Sequence, residues 1–351
     1  MSGGKRVLVV GAGVTGLLTA VRCARAGHRV TVLDQGAVPN PGSTSYDQHR
    51  AIRSLDPDGP EATRRLIGAH RRWLELEQLL GATVYHRVGA LSAWPAGQVD
   101  QVARVAAAAD LPISVVSPDA YPHLRFPVGT VGVLEHDAGV LMADHVLWAA
   151  TQWLIRQAGV ELRPWQEVVE VRADAAEAVH ADGEVLGADL LLVATGPWSQ
   201  RLVDLPMVMH RQTMVYLRPP ADLAAWWSAA PCAGQLGGAG RAWLLPPVGG
   251  ALLKVSTAAV CREVDGLADR GDEDESAFAD RIMAESAVAD PGRYRVMAVR
   301  RCHYLIDAGT QRAHLVRIGP NAWARTASGG DGFRTAPLVA DRIAEAVAAL
   351  P

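Results

Sequence analysis

Two β-branched apolar runs, separated by a helical pattern, open the chain. Lys5–Val10 and Arg29–Leu33 are typical of buried strands. Leu17–Ala26 has helical periodicity and stops at Gly27. The pattern therefore predicts a strand, a helix and a second strand, which together form a βαβ unit.

The rest of the chain changes from helical to strand-like patterns. Glu61–Leu80 and Ala143–Ala158 have helical periodicity, and Thr83–Trp94 alternates like a strand. Further strands are predicted at Val168–Val171, Glu177–His180, Leu190–Ala194, Thr213–Leu217, Ala242–Leu245, Leu252–Val255, Arg295–Tyr304 and His314–Ile318, and further helices at Ser276–Ser286 and Ala336–Ala348. We expect an α/β fold in which a nucleotide-binding domain is interleaved with an antiparallel substrate sheet.

Composition excludes several classes of protein. The 351 residues suffice for about two domains, and the 49% of hydrophobic residues exclude a disordered tail. With 34 basic and 37 acidic residues, the net charge of −3 creates no general attraction to nucleic acid or anionic lipid. The acidic cluster Asp265–Glu275 is predicted to be a solvated loop.

Segments that would direct the protein to a membrane or bind a metal are not evident. No apolar run reaches the roughly 20 residues of a membrane helix, and Met1–Arg6 leads directly into a strand, so we expect a cytoplasmic protein. Disulfides and a metal site are not expected, because the four cysteines are widely separated and form no CxxC pair: Cys23, Cys232, Cys261 and Cys302.

A glycine motif follows the first strand. Gly11, Gly13 and Gly16 have GxGxxG spacing, which permits a tight turn, close approach of a pyrophosphate and helix–strand packing. Asp34 ends the second strand, where a ribose-binding carboxylate is expected. An ordinary glycine-rich turn is the alternative, but the strand, helix, strand and acid around the motif favour dinucleotide binding.

The remainder of the chain favours FAD over NAD. The alternation of strands and helices stops after Asp34, and Ala188–Gly196 has the form of a later strand that returns to the nucleotide-binding sheet. A single nucleotide unit completed by distant segments suits the long body of FAD at a domain interface.

Several motifs, in order, resemble those of the D-amino-acid-oxidase-like flavoproteins, and most closely the branch of monomeric sarcosine oxidase and N-methyltryptophan oxidase. The resemblance spans nearly the whole chain. It rests on the βαβ unit, Thr44–Arg53 (TSYDQHRAIR), Ala194–Ser199 (ATGPWS), Lys254, Cys302–Tyr304 (CHY) and Gly330–Pro337 (GDGFRTAP).

The resemblance implies two domains that are discontinuous in sequence. Residues 1–80, 140–205 and 300–351 would form a Rossmann-type FAD-binding domain, and residues 81–139 and 206–299 an antiparallel-sheet substrate domain. It also implies the residues that hold the cofactor. The ADP half would lie on Gly11, Gly13, Gly16 and Asp34, with Thr44 and Ser45 near the pyrophosphate and the Val168 backbone beside the adenine; further contacts would come from Gly196, Trp198, Gly330, Gly332 and Phe333.

Catalytic and substrate-binding roles are implied in the same way. Arg50 would lie near the flavin, Lys254 would activate oxygen, and Cys302 would be joined covalently to the flavin 8α-methyl group. Arg53 and Arg334 would bind the substrate carboxylate, and Tyr304 would line the pocket.

Each of these roles has a simpler structural alternative. Two arginines can clamp a carboxylate, but Arg53 and Arg334 could be ordinary surface residues. Lys254 could be an edge lysine with its charge in solvent, and Cys302 a small buried hydrophobe. A basic neighbour of Cys302, namely Arg300, Arg301 or His303, could instead lower the pKa of its thiol and make it reactive.

Three departures from the family pattern indicate a rebuilt pocket. Ala258 replaces a histidine, and Gly330–Arg334 reads GDGFR instead of GHGFK. Trp243 replaces a tyrosine, and its side chain either forms a wall of the pocket or packs in the core. Sarcosine itself is therefore not the expected substrate. Asp331 either binds a cationic group of the substrate, which would give it a catalytic role, or pairs with Arg334.

These observations predict an FAD-dependent oxidase of a carboxylate-bearing amine or amino acid. Hydride transfer would give an imine, and O₂ would be reduced to H₂O₂. The alternatives are a dehydrogenase that passes electrons to a partner and a non-catalytic FAD-binding subunit. We expect a monomer, and the short chain and altered pocket favour a biosynthetic role.

Overall fold

The computed structural model describes residues 4–267, 275–327 and 329–351. The predicted acidic loop therefore lies largely outside the described residues, as does the start of the chain. The α-helices of the described part are α1 (Val14–Arg25), α2 (Pro60–Leu80), α3 (Val99–Ala108), α4 (Ala143–Ile155), α5 (Ala224–Ser228), α6 (Glu275–Ala284) and α7 (Gly332–Ala348).

The strands of the described part belong to four sheets. In chain order they are β1 (Arg6–Val10), β2 (Arg29–Leu33), β3 (His49–Ile52), β4 (Tyr85–His86), β5 (Ala90–Pro95), β6 (Ile113–Val116), β7 (Thr130–Glu135), β8 (Gly139–Met142), β9 (Val160–Arg163), β10 (Val168–Arg172), β11 (Glu177–His180), β12 (Val185–Gly187), β13 (Leu190–Val193), β14 (Met207–Arg218), β15 (Cys232–Leu236), β16 (Ala242–Leu245), β17 (Leu253–Thr257), β18 (Arg262–Glu263), β19 (Arg295–Asp307), β20 (His314–Gly319) and β21 (Ala322–Ala327).

A six-stranded sheet forms the nucleotide-binding half, in the order β20-β21-β13-β1-β2-β9. All neighbouring strands are parallel except β20 and β21. Helices α1, α4 and α7 contribute to the apolar core that covers one face. Because both faces of a parallel sheet are covered, these strands are continuous apolar runs in the sequence. The sheet confirms the predicted Rossmann-type unit.

A larger, mostly antiparallel sheet forms the second half, in the order β18-β14-β17-β16-β15-β5-β7-β6, with β19 also paired to β14. Its core includes Trp227 and Phe278, both fully buried. The long pair of β14 and β19 extends from Met207 opposite Asp307 to Arg218 opposite Arg295. This sheet confirms the antiparallel part of the predicted α/β fold.

Two small sheets complete the described part, β10-β11-β12 and β3-β8-β4. Strand β3 is important for the site, since it carries Arg50 and ends one residue before Arg53. Helix α2 follows soon after, and its fully buried Trp73 donates a hydrogen bond from Nε1 to the Phe333 carbonyl at 3.1 Å. Trp73 therefore anchors the first turn of α7.

Some predicted boundaries were wrong. The alternating run Thr83–Trp94 is two strands, β4 and β5, because the chain turns at Gly89, whose φ is +79°. The closing helix begins at Gly332, four residues before the predicted start. Helix α1 begins at Val14, directly after the glycine turn. In the part of the chain that the structure covers, no helix combines the length and apolar character needed to cross a bilayer.

Candidate active site and cofactor groove

The glycine turn between β1 and α1 has no room for side chains. Gly11 has φ +104°, a conformation that favours glycine. A Cβ on Gly16 would lie 1.9 Å from the Gly11 carbonyl oxygen. The backbone is therefore exposed to a ligand at the N-terminus of α1, where phosphates bind favourably.

Asp34 orients this turn. Its carboxylate accepts hydrogen bonds from the Ala12 backbone N–H at 2.8 Å, the Gly36 backbone N–H at 2.9 Å and Asn40 Nδ2 at 2.9 Å. A carboxylate has about four acceptor sites, so one is left for a further donor such as a ribose hydroxyl. Asp34 also lines a cleft beside the turn.

A narrow cleft runs along the glycine turn and opens into a large cavity. The cleft is lined by most of the residues predicted to contact the nucleotide end of the cofactor, namely Gly11, Gly13, Asp34, Thr44, Ser45, Val168, Gly196 and Trp198. Gly16, predicted with them, is not among the lining residues and instead packs closely against the Gly11 carbonyl. Gly13, Thr44, Ser45 and Gly196 also line the cavity. The cleft and the cavity therefore form one elongated groove, and its shape and its glycine cradle fit a dinucleotide.

The cavity, about 610 Å³, lies between the nucleotide-binding sheet and the large sheet. It brings together every residue predicted for the catalytic end: Arg50, Arg53, Trp243, Lys254, Cys302, Tyr304, Gly330, Asp331, Gly332, Phe333 and Arg334. Other lining residues were missed by the sequence analysis, among them Trp94, Glu135, Gln212 and Arg325. They lie on strands whose sequence has no motif.

Lys254 is buried at the centre of the large sheet. Strand β17 pairs with β14 on one side and β16 on the other, so Lys254 is not an edge residue, and only 1% of it is exposed. Its Nζ donates to Asp47 Oδ2 at 2.9 Å and to the His49 carbonyl at 2.6 Å. Burial lowers the pKa of Lys254 to about 8, and Arg50 contributes to that decrease.

Asp47 is the centre of this buried polar network and was missed by the sequence analysis. Besides Lys254, its carboxylate binds Arg50 and accepts a hydrogen bond from the Tyr216 hydroxyl at 2.5 Å. Burial alone would raise the pKa of Asp47, but Arg50 and Lys254 hold it well below its usual range. Asp47 therefore remains a carboxylate. The acid in the segment SYDQHR, three residues before Arg50, was the available signal.

Arg50 connects the network to the cofactor groove. Its Nη2 donates to the Thr44 carbonyl at 2.7 Å, and its guanidinium lies 5.8 Å from the centre of the Phe333 ring. Although burial opposes the charge, the contact with Asp47 raises the pKa of Arg50. Arg50 is therefore a fixed cation at the cavity wall.

Cys302 lines the cavity and is partly exposed there. Burial raises the pKa of its thiol, while Arg50 and then Lys254 are the cations that most oppose this increase. Nearby cations therefore do lower the pKa of the thiol, as expected, but they are Arg50 and Lys254, and burial outweighs them. Of the three basic neighbours named from the sequence, His303 also lines the cavity, and Arg300 Nη1 lies 3.8 Å from Asp47 Oδ1.

Tyr304 lies two residues beyond Cys302 on the same face of β19. Its hydroxyl is 3.2 Å from Cys261 Sγ, and its ring stacks on His210 at 5.7 Å. Burial raises the pKa of Tyr304 above its usual range, so the phenol stays protonated. Tyr304 and Trp243 both lie at the cavity surface, as predicted for pocket residues.

Arg53 and Arg334 differ in their partners. Within the described ranges, Arg53 has neither a hydrogen bond nor an ion pair, and it is accessible from the cavity. Arg334 Nη2 lies 2.7 Å from Asp331 Oδ1 and 3.8 Å from Asp56 Oδ2. Partial burial and the nearby Arg334 both lower the pKa of Arg53. Of the two alternatives for Asp331, the structure contains the pairing with Arg334.

Glu135 supports the segment that carries Arg53. Its carboxylate accepts hydrogen bonds from the backbone N–H groups of Ser54 at 2.6 Å and Leu55 at 3.0 Å. Burial raises the pKa of Glu135. No group of three or more potential metal ligands is found among the residues that the structure describes.

Comparison with known sequences agrees with this geometry. Residues 6–346 match the family described as FAD dependent oxidoreductase. Peroxisomal sarcosine oxidase of Mus musculus is 29% identical over 222 residues, which are 60% of this chain and 56% of that protein. Monomeric sarcosine oxidase of Bacillus sp. (strain B-0618) is 25% identical over 221 residues, with 59% and 56% covered. The chain thus matches little more than half the length of these relatives.

Solved structures show the same fold. A Tyr-to-Phe mutant of NikD, described as an unusual amino acid oxidase essential for nikkomycin biosynthesis, superimposes with a TM-score of 0.79 at 19% identity, covering 99% of this chain and 94% of that chain. Fructosamine oxidase (Amadoriase II) from Aspergillus fumigatus has a TM-score of 0.77 at 20% identity, with 100% and 88% covered. The predicted resemblance to this flavoprotein fold is confirmed.

Proposed function

Because the chain belongs to the family of FAD-dependent oxidoreductases, we propose that it oxidises an amine or amino acid that bears a carboxylate. The substrate class is a secondary, N-methyl or cyclic amine. The observation that carries the proposal is that one cavity is lined by Arg53, Lys254 and Cys302. Arg53 has no ion pair among the described residues, Lys254 offers a buried ammonium group, and Cys302 offers a thiol.

The residues that line the groove are those that would hold FAD. The glycine turn and Asp34 would bind the ADP half, and the cavity wall with Arg50, Cys302 and the Gly330–Phe333 segment would surround the flavin. Bound FAD would supply the redox chemistry: the amine would lose a hydride from the carbon next to nitrogen and a proton from nitrogen to become an imine, and the two electrons would reach O₂, which takes up two protons to become H₂O₂.

Arg53 would orient the substrate. A guanidinium binds a carboxylate through two parallel hydrogen bonds, which fixes the direction of the amine relative to the cavity. Arg334 would assist from the first turn of α7, although its pairing with Asp331 reduces its capacity for a second anion. Binding energy from the carboxylate would thus be used to position the reacting carbon.

Lys254 would supply positive charge where oxygen is reduced. The first electron that reaches O₂ creates an anion, and a preorganised cation in a site with little water stabilises the transition state for its formation. Asp47 and the His49 carbonyl hold the ammonium in one position. The substrate does not require this charge, since Arg53 already recognises its carboxylate.

Cys302 would attach the cofactor covalently. Its thiolate would form a C–S bond to the flavin 8α carbon in exchange for one C–H bond of the methyl group. The thiol proton and the methyl proton would be lost to solvent or to a base, and the electron pair would pass through the flavin to O₂, which would become H₂O₂. Arg50 and Lys254 favour the thiolate, although burial opposes it.

Peroxide release tests the proposed function. Purified, FAD-loaded protein is incubated with a panel of N-methyl, cyclic imino and aromatic amino acids, while O₂ consumption and H₂O₂ are measured. We expect at least one member to give peroxide in a 1:1 ratio to O₂. Oxidation only with an artificial electron acceptor would indicate a dehydrogenase instead. An absence of turnover with either acceptor would favour a non-catalytic FAD-binding role.

A further inference from the structure

Among the described residues, Arg325 is a second arginine of the cavity without an ion pair, and we propose that it binds a second acidic group of the substrate. The inference rests on the proposed function and narrows the substrate class to amines with two carboxylates. One would bind Arg53 and the other Arg325. Both arginines line the cavity.

Arg325 lies on β21 and is 7% exposed. Its Nη2 donates to Thr335 Oγ1 at 3.1 Å, and within the described part of the chain this is its one hydrogen bond. Its Nε is buried without a partner. Burial lowers the pKa of Arg325 to about 10, although Asp331 opposes the decrease. A neutral hydroxyl is thus the one hydrogen-bonding group on a nearly buried cation.

A buried guanidinium without a counterion is costly, and such groups in proteins are normally paired or bind a ligand. The acidic side chains that face this part of the cavity already have partners. Of the described lining residues, Asp331 lies against Arg334, and Glu135 accepts two backbone hydrogen bonds. A carboxylate supplied by the ligand would provide the missing partner for Arg325.

Two arginines that reach one cavity from different sheets discriminate ligands by the number of their acidic groups. Arg53 follows β3 in a small sheet, whereas Arg325 belongs to the nucleotide-binding sheet. A ligand with one carboxylate satisfies one of them and leaves the other unpaired. A dicarboxylic amine gives each arginine a carboxylate partner, and each of these contacts is a charge-assisted hydrogen bond. An anionic part of the cofactor could supply the same chemistry, so the test separates the two sources.

The experiment compares acetate with succinate as ligands of the FAD-loaded protein, followed by the change in flavin absorbance. We expect succinate to bind at least tenfold more tightly than acetate. In R325M, succinate affinity should decrease by about tenfold to a hundredfold, while acetate affinity stays within about twofold. The matched control is R65M, since Arg65 is an exposed neighbour outside the cavity lining that also influences Arg325. It should retain the preference for succinate.

Each result supports or overturns the proposal. Equal affinity for the two acids in the wild-type protein overturns it, and this measurement does not depend on how well the variant folds. A preference for succinate that R325M retains also overturns it. If R325M instead loses FAD or changes its reduction potential with the preference intact, the guanidinium serves the cofactor. If no amine of the panel, extended by amines with two carboxylates, yields peroxide, the proposed function fails. Peroxide formation without a preference for succinate rejects this inference alone.

Discussion

The ammonium of Lys254 lies 2.9 Å from the carboxylate of Asp47, and both side chains are almost completely buried beside the cavity. Their separation in sequence is 207 residues. Asp47 thus fixes the position of the Lys254 ammonium at the wall of the cavity. Burial of Lys254 is therefore compensated locally, and its charge remains available for a developing anion.

Replacement of Lys254 by Met should slow reoxidation of the reduced flavin by at least tenfold, because the charge that stabilises the reduced oxygen species is lost. Reduction by the amine should change much less. Stopped-flow measurement of anaerobic reduction and of aerobic reoxidation separates the two steps. Unchanged reoxidation would contradict the role of Lys254 and favour the dehydrogenase alternative.

The pH dependence of reoxidation should report the titration of Lys254. Its pKa is about 8 instead of 10.5, so the ammonium predominates below pH 8 and is lost as pH rises through that value. We expect the rate constant of reoxidation in the wild-type protein to decrease above about pH 8. The Lys254→Met variant is the control, and its slow rate should be independent of pH in this range.

Asp47→Asn should move that decrease to lower pH. The carboxylate opposes the fall in the pKa of Lys254, so its removal leaves the effects of burial and Arg50 uncompensated. Stopped-flow reoxidation from pH 6 to 9 would detect the shift. Tyr216→Phe removes one hydrogen bond to Asp47 but no charge and is the matched control. An identical pH profile in Asp47→Asn would show that Asp47 has a structural role only.

The flavin should be linked covalently to Cys302. Acid precipitation is expected to leave a yellow pellet, with the mass of FAD on the peptide that contains Cys302, and Cys302→Ala should release all flavin to the supernatant. Because the pKa of the thiol is raised, attachment to apoprotein should accelerate as pH increases. Cys261→Ala serves as the control. A colourless pellet from active, flavin-loaded protein would reject the link.

Arg53→Met should weaken binding of acetate by about tenfold to a hundredfold, since a charge-assisted contact contributes roughly 1.5–3 kcal/mol. Arg334→Met should have a smaller effect, because Asp331 already neutralises Arg334. Titration followed by flavin absorbance measures both variants. Equal losses of acetate affinity in the two variants would show that both arginines bind the carboxylate equally. Wild-type affinity in both variants would show that the carboxylate binds elsewhere.

Trp73→Ala should lower the free energy of unfolding by about 3–5 kcal/mol, the usual cost of removing a fully buried aromatic side chain. The Phe333 carbonyl would also lose its hydrogen-bond donor. Trp73→Phe should cost less, because most of the packing remains. Chemical denaturation, with Trp148→Phe at an exposed position as the control, measures the difference. A change below about 1 kcal/mol in Trp73→Ala would contradict this packing role.

The local sequence alone determined the nucleotide-binding βαβ unit and helix α2. The βαβ pattern, the glycine spacing and the helical periodicity of α2 depend on residues close in sequence, and the structure contains each of them. The order of short motifs indicated the flavoprotein fold in the same way. The sequence predicted the ends of strands and helices wrongly in two situations. One is a turn that interrupts a continuous pattern, as at Gly89. The other is a tertiary contact that extends a helix, as the hydrogen bond from Trp73 to the Phe333 carbonyl does for α7.

Only the tertiary structure decided which charged groups are paired. Asp47 lies inside the TSYDQHRAIR motif, but the motif does not show that this carboxylate pairs with Lys254. Asp331 and Arg334 are close in sequence, but two roles fitted the pattern equally well. Arg325 is an ordinary strand residue in the sequence, but burial removes its water, and in the described part of the chain it has no ion pair. The physical reason is that the strength of a charge interaction depends on separation in space and on access of water, and periodicity reports neither.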